Sequence, residues 1–283
     1  MKVLIIGSSG LLGKKLYYYL KKKKIDVHHN GLNKKKFNLN TINNVGKLLK
    51  KKPDLIINAA AITNIDQCEK SYIKTKLINT DLIKKLFVLK KKLNLHFKLI
   101  FFSTDQLYDS NKLSTENDNI KINNKYSKQK YLAENICSKN NSIVFRTNFF
   151  GKSFSKNSFT DWVYNSFTHN EKFFLFDDII FNPLRINTIC RIIHKIIITN
   201  KYNYSGLYNL GSKGKISKSE FAILFAKKIK IFNYNFERCN SSIILKTKRS
   251  KNMSMNVNKF IKTFKIKLPK VIDEIKSECM YYK

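Results

Sequence analysis

Gly7-Ser8-Ser9-Gly10-Leu11-Leu12-Gly13 directly follows the apolar run Val3-Leu4-Ile5-Ile6 and opens a stretch with apolar residues at helical spacing. A short β-like run, a glycine-rich turn and a helix start, in that order, make a phosphate-binding unit. The glycines permit a tight turn, and the first backbone amides of the helix can approach an anion. The spacing is G-x-x-G-x-x-G, which differs from the common G-x-G-x-x-G fingerprint of dinucleotide sites.

Working outward, β-branched runs alternate with amphipathic stretches. Strands are expected at Lys2 to Ile6, Ile25 to His29, Leu55 to Asn58, Leu99 to Ser103 and Ile143 to Phe145. Helices are expected at Leu12 to Lys23, Ile42 to Lys50, Thr75 to Leu93 and Ser127 to Cys137, each with apolar residues three and four apart and lysines opposite. This alternation predicts an α/β fold, a doubly wound parallel sheet covered by helices on both faces. Residues 1–151 form the expected nucleotide domain. After Gly151 an aromatic segment, Phe154 to Phe176, starts a smaller C-terminal lobe, 152–283. Short strand-like runs at 181–186 and 206–211 are expected to return to the first sheet, so that the two parts interleave. Further helices are expected at Ser217 to Ile229, Asn258 to Phe264 and Val271 to Cys279.

Bulk properties narrow the function classes. With 283 residues, 43% apolar content and 3 prolines, the chain can bury a real core. Cys68, Cys137, Cys190, Cys239 and Cys279 are odd in number and form no C-x-x-C pair, so a reducing, cytoplasmic setting is expected and no disulfide framework. The N-terminus lacks a signal-peptide core, and no apolar run approaches the roughly 18 residues of a membrane span. The net charge of +36 invites a nucleic-acid reading, yet only Arg146, Arg185, Arg191, Arg238 and Arg249 are arginines. Groove and base recognition leans on the arginine fork. A chain so rich in Lys, Asn and Ile is what an A+T-rich coding sequence produces, so no specific nucleic-acid partner is expected. The five histidines show no metal-ligand spacing, and no metal site is expected. Cys68 and Trp162 read as packing residues.

Two further stretches carry chemistry. Tyr126 and Lys130 form Y-x-x-x-K near a helix start, which sets phenol and ammonium one turn apart on one face. A neighbouring cation stabilises phenolate and lowers a tyrosine pKa from about 10, so that the hydroxyl can pass its proton to a carbonyl oxygen receiving hydride. Ser103-Thr104-Asp105 follows the Leu99 to Phe102 strand, at the carboxyl edge of the sheet where open α/β folds bind ligands. A hydroxyl there can hold a substrate carbonyl.

These residues resemble the extended short-chain dehydrogenases/reductases, and within them the dTDP-4-dehydrorhamnose reductase-like branch. Beside the glycine loop, the resemblance rests on Asn58-Ala59-Ala60-Ala61-Ile62-Thr63 with Asp66, Cys68 and Glu69, on Phe102-Ser103-Thr104-Asp105, on Tyr126 to Lys130 and on Arg146-Thr147-Asn148. Asn182-Pro183, Gly206-Leu207-Tyr208-Asn209-Leu210 and Lys248-Arg249 before Met253-Ser254-Met255 extend it through nearly the whole chain. It implies a Rossmann-type sheet binding NADPH, with NADH possible, and a lobe gripping a nucleotide-diphosphate sugar whose 4-keto carbon receives hydride. Tyr126 would donate the proton, Lys130 would hold the nicotinamide ribose and tune the phenol, and Thr104 would hydrogen-bond the carbonyl. Gly7, Gly10, Leu11, Leu12 and Gly13 would surround the pyrophosphate, with Asn38, Leu39, Ala59, Ala60 and Ala61 along the cofactor. Thr104, Asp105, Gln106, Asn148 and Arg249 would meet the substrate. The implied product feeds deoxysugar or surface-polysaccharide synthesis, and a homodimer is possible.

The chain also departs from the family. Gln106 stands where the best-known rhamnose-pathway members have an aromatic, and Arg146-Thr147-Asn148-Phe149-Phe150-Gly151 is shorter than their equivalent and lacks tryptophan. An epimerase would keep the same three catalytic residues, and a regulatory subunit would keep the fold. His28-His29-Asn30 offers no acid at the end of the second strand, which tilts the cofactor toward NADPH, with Lys34, Lys35 and Lys36 able to meet its extra phosphate.

Overall fold

The computed structural model describes residues 1–32, 38–155, 158–169, 172–232 and 235–282. In chain order it runs β1 (Lys2–Ile6), α1 (Leu11–Lys22), β2 (Asp26–His29), α2 (Ile42–Leu49), β3 (Leu55–Asn58), α3 (Ile65–Lys70), α4 (Tyr72–Lys76), a π-helical turn (Leu77–Asp81), α5 (Leu82–Lys92) and β4 (Lys98–Phe102). There follow a 3-10 turn (Asp105–Leu107), α6 (Lys125–Ser138), β5 (Ile143–Thr147), β6 (Phe149–Phe150), α7 (Phe159–Thr168), β7 (Phe173–Phe176), β8 (Ile180–Phe181), β9 (Leu184–Arg185) and α8 (Ile186–Ile198). The remainder is β10 (Gly206–Leu210), β11 (Ile216–Ser217), α9 (Lys218–Lys228), β12 (Phe236–Cys239), α10 (Ser241–Ile244), α11 (Asn258–Phe264) and α12 (Val271–Cys279).

A six-stranded sheet has the order β10-β5-β4-β3-β1-β2. The pairs β1 with β2, β1 with β3, β3 with β4 and β4 with β5 are all parallel. From β1 the chain goes outward to β2 and then returns to β3 on the other side. The topological switch point therefore lies at the carboxyl ends of β1 and β3, the position at which open α/β sheets bind ligands. Helices on both faces explain why β1, β3 and β5 read as continuous apolar runs: Val3, Ile5, Leu55, Ile57 and Val144 are fully buried.

The described chain divides into two compact units. One comprises Met1–Thr104, Asn124–Arg146 and Cys190–Tyr208; the other comprises Asp105–Asn123, Thr147–Ile189 and Asn209–Lys283. The core of the first packs Leu4, Ile6, Ile56, Leu82, Leu86 and Phe101 between sheet and helices. The second has a core of Phe150, Phe167, Phe181, Phe221, Phe225 and Ile275, and two-stranded pairings of β7 with β12, β8 with β11 and β6 with β9. Its helices α7 and α9 start at capping boxes, Ser158 with Asp161 and Ser217 with Glu220.

Three expectations need correction. The 181–186 run does not join the large sheet: β8 pairs with β11 and β9 with β6, while the 206–210 run does enter it as β10. A run of two residues is too short to span a sheet edge and instead ties local loops. The single helix expected over Thr75 to Leu93 is split by the π-helical turn, because Asn79 and Thr80 are buried polar residues with partners outside the helix. Trp162, expected in the core, is 42% exposed and stacks on Phe159 at a ring distance of 6.0 Å.

Candidate active site

The glycine loop is built against the end of β3. Gly7 has φ +88°, and a Cβ there would fall 2.3 Å from the Ala60 nitrogen. A Cβ on Gly13 would fall 2.2 Å from the Gly7 carbonyl oxygen. Both positions thus require glycine, one for its conformation and both for space. The loop is also pinned from β2: Asn30 Oδ1 accepts from the Gly7 and Ser8 amides at 2.9 and 3.2 Å and from Ser8 Oγ at 2.9 Å. Among the described residues no side chain caps α1 at Gly10, and a helix N-terminus of this kind, with the amides of Leu11 and Leu12, can meet an anion. Leu12 and Ala60 pack into the interior, whereas Leu11, Ala59 and Ala61 stay half-exposed along the loop.

The other end of the assigned cofactor path is less direct. Asn38 accepts from the Asn40 amide at 2.8 Å, and the Leu39 side chain belongs to the core, leaving only its backbone for a ligand. Lys34, Lys35 and Lys36 lie outside the described residues.

Tyr126 and Lys130 lie on the buried face of α6, whose N-terminus is closed by a capping box between Asn124 and Ser127. That face is mixed: Ala133 and Cys137 join the apolar core, as the periodicity predicts, and beside them stand buried polar groups held by specific partners. Gln129 Oε1 accepts from Asn79 Nδ2 at 2.8 Å, and Gln129 Nε2 donates to Thr75 Oγ1 at 2.8 Å. Thr80 Oγ1 donates to the Gln129 carbonyl at 2.9 Å. Glu134 holds Arg146 through Nε at 3.0 Å and Nη2 at 2.7 Å. Asn79 reaches further, accepting from the Ile62 amide at 2.8 Å, and so ties the Ala59–Ile62 segment to α6. Tyr126 packs with Ile65 and Cys68, whose thiol is pushed up in pKa by burial.

Lys130 Nζ donates to the Phe102 carbonyl at 2.6 Å and lies 4.1 Å from the Phe101 ring centroid. Its ammonium thus sits at the carboxyl edge of β4, beside Ser103 and Thr104. Burial lowers its pKa to about 8, opposed by the charge of Glu134 among others. Two buried polar atoms at adjacent strand ends, Asn58 Nδ2 and Ser103 Oγ, have no hydrogen-bond partner among the described residues. Buried polar groups are seldom left this way, so both atoms suit a bound ligand. With the glycine cradle, they fit a dinucleotide at the switch point.

Asp105, Gln106, Asn148 and Arg249, assigned to substrate, fall together in the second unit. Asp105 is buried and accepts from Asn148 Nδ2 at 2.8 Å. The Gln106 side chain donates to Met253 Sδ, and its carbonyl accepts from Ser250 Oγ at 2.9 Å, beside Arg249. Asn182 clamps two distant segments, donating from Nδ2 to the carbonyls of Ser212 and Met255 at 2.8 and 2.9 Å and accepting from the Met255 amide.

Asn79 is passed over by the sequence reading, and Asn30, Asn58 and Ser103, though they stand in the quoted stretches, are given no specific role there. For Asn79 the only signal is a polar residue within an apolar period. A cavity of about 470 Å³ bordered by Lys90, Lys98 and Lys139 opens elsewhere on the first unit and includes none of the assigned residues. Among the described residues no helix is long and apolar enough to cross a membrane.

Comparison with known proteins adds a family. A family model described as RmlD substrate binding domain matches residues 1–280. The spore coat polysaccharide biosynthesis protein SpsK of Bacillus subtilis is 26% identical over 227 residues, 78% of this chain and 77% of that protein. A dTDP-4-dehydrorhamnose reductase structure from Clostridium acetobutylicum superposes with a TM-score of 0.88 at 23% identity, covering 100% of this chain and 99% of that one. The enzyme of the same name from Bacillus anthracis, in complex with NADP, gives a TM-score of 0.88 at 23% identity over 99% of both chains.

Proposed function

The chain belongs to the RmlD substrate-binding-domain family, and from that membership we propose that it is an NADPH-dependent reductase of a nucleotide-activated 4-keto-6-deoxysugar. The reductase name and NADP complex of the Bacillus anthracis structure, and the polysaccharide role in the name of SpsK, support this reading. The observation that carries it is the placement of Lys130: its ammonium is fixed 2.6 Å from the Phe102 carbonyl, one residue before the Ser103-Thr104 pair and one helical turn after Tyr126.

Bound NADPH would supply a hydride to the 4-keto carbon, leaving NADP⁺. The glycine loop and the positive end of α1 hold its pyrophosphate, with Ala59, Ala60, Ala61 and the backbone at Asn38 and Leu39 alongside. As the new C–H bond forms, the carbonyl π pair moves onto oxygen, which Thr104 steadies by a hydrogen bond and Tyr126 protonates. Lys130 stabilises the resulting phenolate and holds the ribose of the cofactor. Asp105, Gln106, Asn148 and Arg249 orient the sugar nucleotide.

Loss of NADPH absorbance on adding nucleotide 4-keto-6-deoxysugars, with dTDP and UDP carriers tested separately, measures this activity. Turnover with at least one of them is expected, and the absence of turnover with every member of the panel would refute the reading.

A further inference from the structure

The first unit carries a concave, basic site at the opposite edge of its sheet from the candidate active site. The cavity of about 470 Å³ noted above is bordered by Lys98, the residue that begins β4, whereas Lys130 is bonded to Phe102, which ends it. The two ends of the strand are separated by its length, roughly 13 Å. Four of the lining residues are lysines, Lys90, Lys91, Lys98 and Lys139, and among the described residues none that lines the cavity is acidic. Phe87 and Leu95, both half-buried, supply an apolar part of the wall.

Lysines near helix ends are ordinarily engaged by the last carbonyls and the negative pole of the helix. Here α5 and α6 both end at the cavity, and the chain itself closes them. In α5 the carbonyls of Leu89, Lys90 and Lys91 accept from the amides of Leu93, Leu95 and Asn94 at 2.9, 2.9 and 3.3 Å. In α6 the Cys137 carbonyl accepts from the Asn140 amide at 3.0 Å, and the Ile136 carbonyl accepts from Asn140 Nδ2 at 2.7 Å. The ammonium groups are therefore not needed as caps. Lys90 is fixed in place: its Nζ donates to the Phe97 carbonyl at 2.8 Å and lies 4.9 Å from the Phe97 ring centroid, which sets it beside Lys98. Burial, and after it the charge of Lys98, lowers its pKa. Among the described residues no hydrogen bond or ion pair engages the ammonium groups of Lys91, Lys98 or Lys139. Asp54, whose carbonyl accepts from the Lys98 amide at 2.8 Å, has its carboxylate on the Lys2 amide at 2.6 Å. Elsewhere lysines do meet acids, Lys76 with Asp81 at 2.7 Å and Lys112 with Asp118 at 3.1 Å. Like charges gathered in a concavity without a counter-ion focus a positive potential there.

We propose that this cavity is a binding site for a small polyphosphate anion, whose oxygens meet the ammonium groups of Lys90, Lys91, Lys98 and Lys139. Its volume falls in the range of small-molecule sites, roughly 300–1,000 Å³. Ammonium groups are compact point charges that bind phosphate without the fixed geometry of an arginine fork. A compact anion with several charges can reach all four lysines from inside the cavity, which the evenly spaced phosphates of an extended nucleic-acid backbone cannot do. The site lies outside the residues assigned to cofactor and substrate, so the inference is independent of the reductase reading.

Titration calorimetry of inorganic tripolyphosphate into the full chain tests the proposal. NADPH is kept saturating so that the glycine loop is filled, and salt is held at about 0.15 M, where exposed charges more than roughly 8 Å apart are screened. Lys98→Gln combined with Lys139→Gln is expected to weaken tripolyphosphate binding by roughly 10- to 100-fold, the worth of a charge-assisted hydrogen bond. Lys22→Gln combined with Lys24→Gln makes the same change of net charge at the end of α1 and should leave the affinity within twofold of wild type. If the Lys98 variant does not fold, Lys91→Gln combined with Lys139→Gln gives the same reading. Tripolyphosphate affinity within twofold of wild type in the cavity variant overturns the inference, and so does wild-type protein that binds no tripolyphosphate. An equal loss in both double variants also overturns it, because net charge alone would then account for the binding. An RNA oligonucleotide that binds more tightly than tripolyphosphate, with the same dependence on Lys98 and Lys139, would overturn the assignment to a small anion.

Discussion

The Lys130 ammonium donates a 2.6 Å hydrogen bond to the carbonyl oxygen of Phe102, joining the middle of α6 to the last residue of β4. This bond sets a long cationic side chain, 2% exposed, at the end of the sheet where Ser103 and Thr104 follow. Burial brings its pKa from 10.5 to about 8, which places a titration near working pH.

The pH dependence should follow the sign of that shift. As pH rises through about 8 the ammonium loses its proton, so kcat/KM should fall on the alkaline side with an apparent pKa near 8 for the free enzyme. Stability responds oppositely. Between about 8 and 10.5 the unfolded chain binds the proton that folded Lys130 has released, so this group adds stability as pH rises through that window. Initial rates and urea midpoints from pH 6 to 10 would test both, and a kcat/KM that stays flat to pH 10 would contradict the assigned role.

Gly7→Ala should weaken NADPH binding at least tenfold. The new Cβ meets the Ala60 nitrogen at 2.3 Å, and φ at +88° disfavours any side chain, so the loop must shift away from β3. The backbone cost alone is about 1–3 kcal/mol. Fluorescence titration with NADPH measures the loss, and an unchanged Kd would show that the loop does not bind the cofactor.

Asn79→Ala removes the side chain that joins the Ile62 segment to Gln129 on α6. Leaving those buried groups without Asn79 should cost about 1–3 kcal/mol per group in stability. It should also lower kcat more than it changes the Kd for NADPH, because Tyr126 and Lys130 are carried on the helix that loses its brace. Equal turnover with reduced stability would assign Asn79 a purely structural part.

Glu134→Ala strips the buried Arg146 of its carboxylate, both side chains being only 4% exposed. Breaking such a pair on one side typically costs about 3–5 kcal/mol. Urea unfolding measures it, and a change below about 1 kcal/mol would mean the pair contributes little to fixing α6 on β5.

Much of this was legible in the sequence because its signals are local. Gly7 to Gly13 mark a turn that only glycine fits, and the apolar runs of β1, β3 and β4 announce strands covered on both faces. Tyr126 and Lys130 are joined by helix geometry alone. What was not legible depends on long-range partners. The π-helical turn at Leu77–Asp81 exists because Asn79 and Thr80 bond to Gln129, some fifty residues away, which no periodicity reveals. Short strands such as β8 and β9 pair locally and carry too few residues to declare which sheet they join.

Single-turnover oxidation of NADPH by a nucleotide 4-keto-6-deoxysugar, followed in wild type and Tyr126→Phe at equal cofactor saturation, tests the central assignment most directly. Loss of the phenolic proton donor should slow the step by about 100-fold or more while NADPH still binds. A Tyr126→Phe enzyme that turns over at the wild-type rate would contradict it.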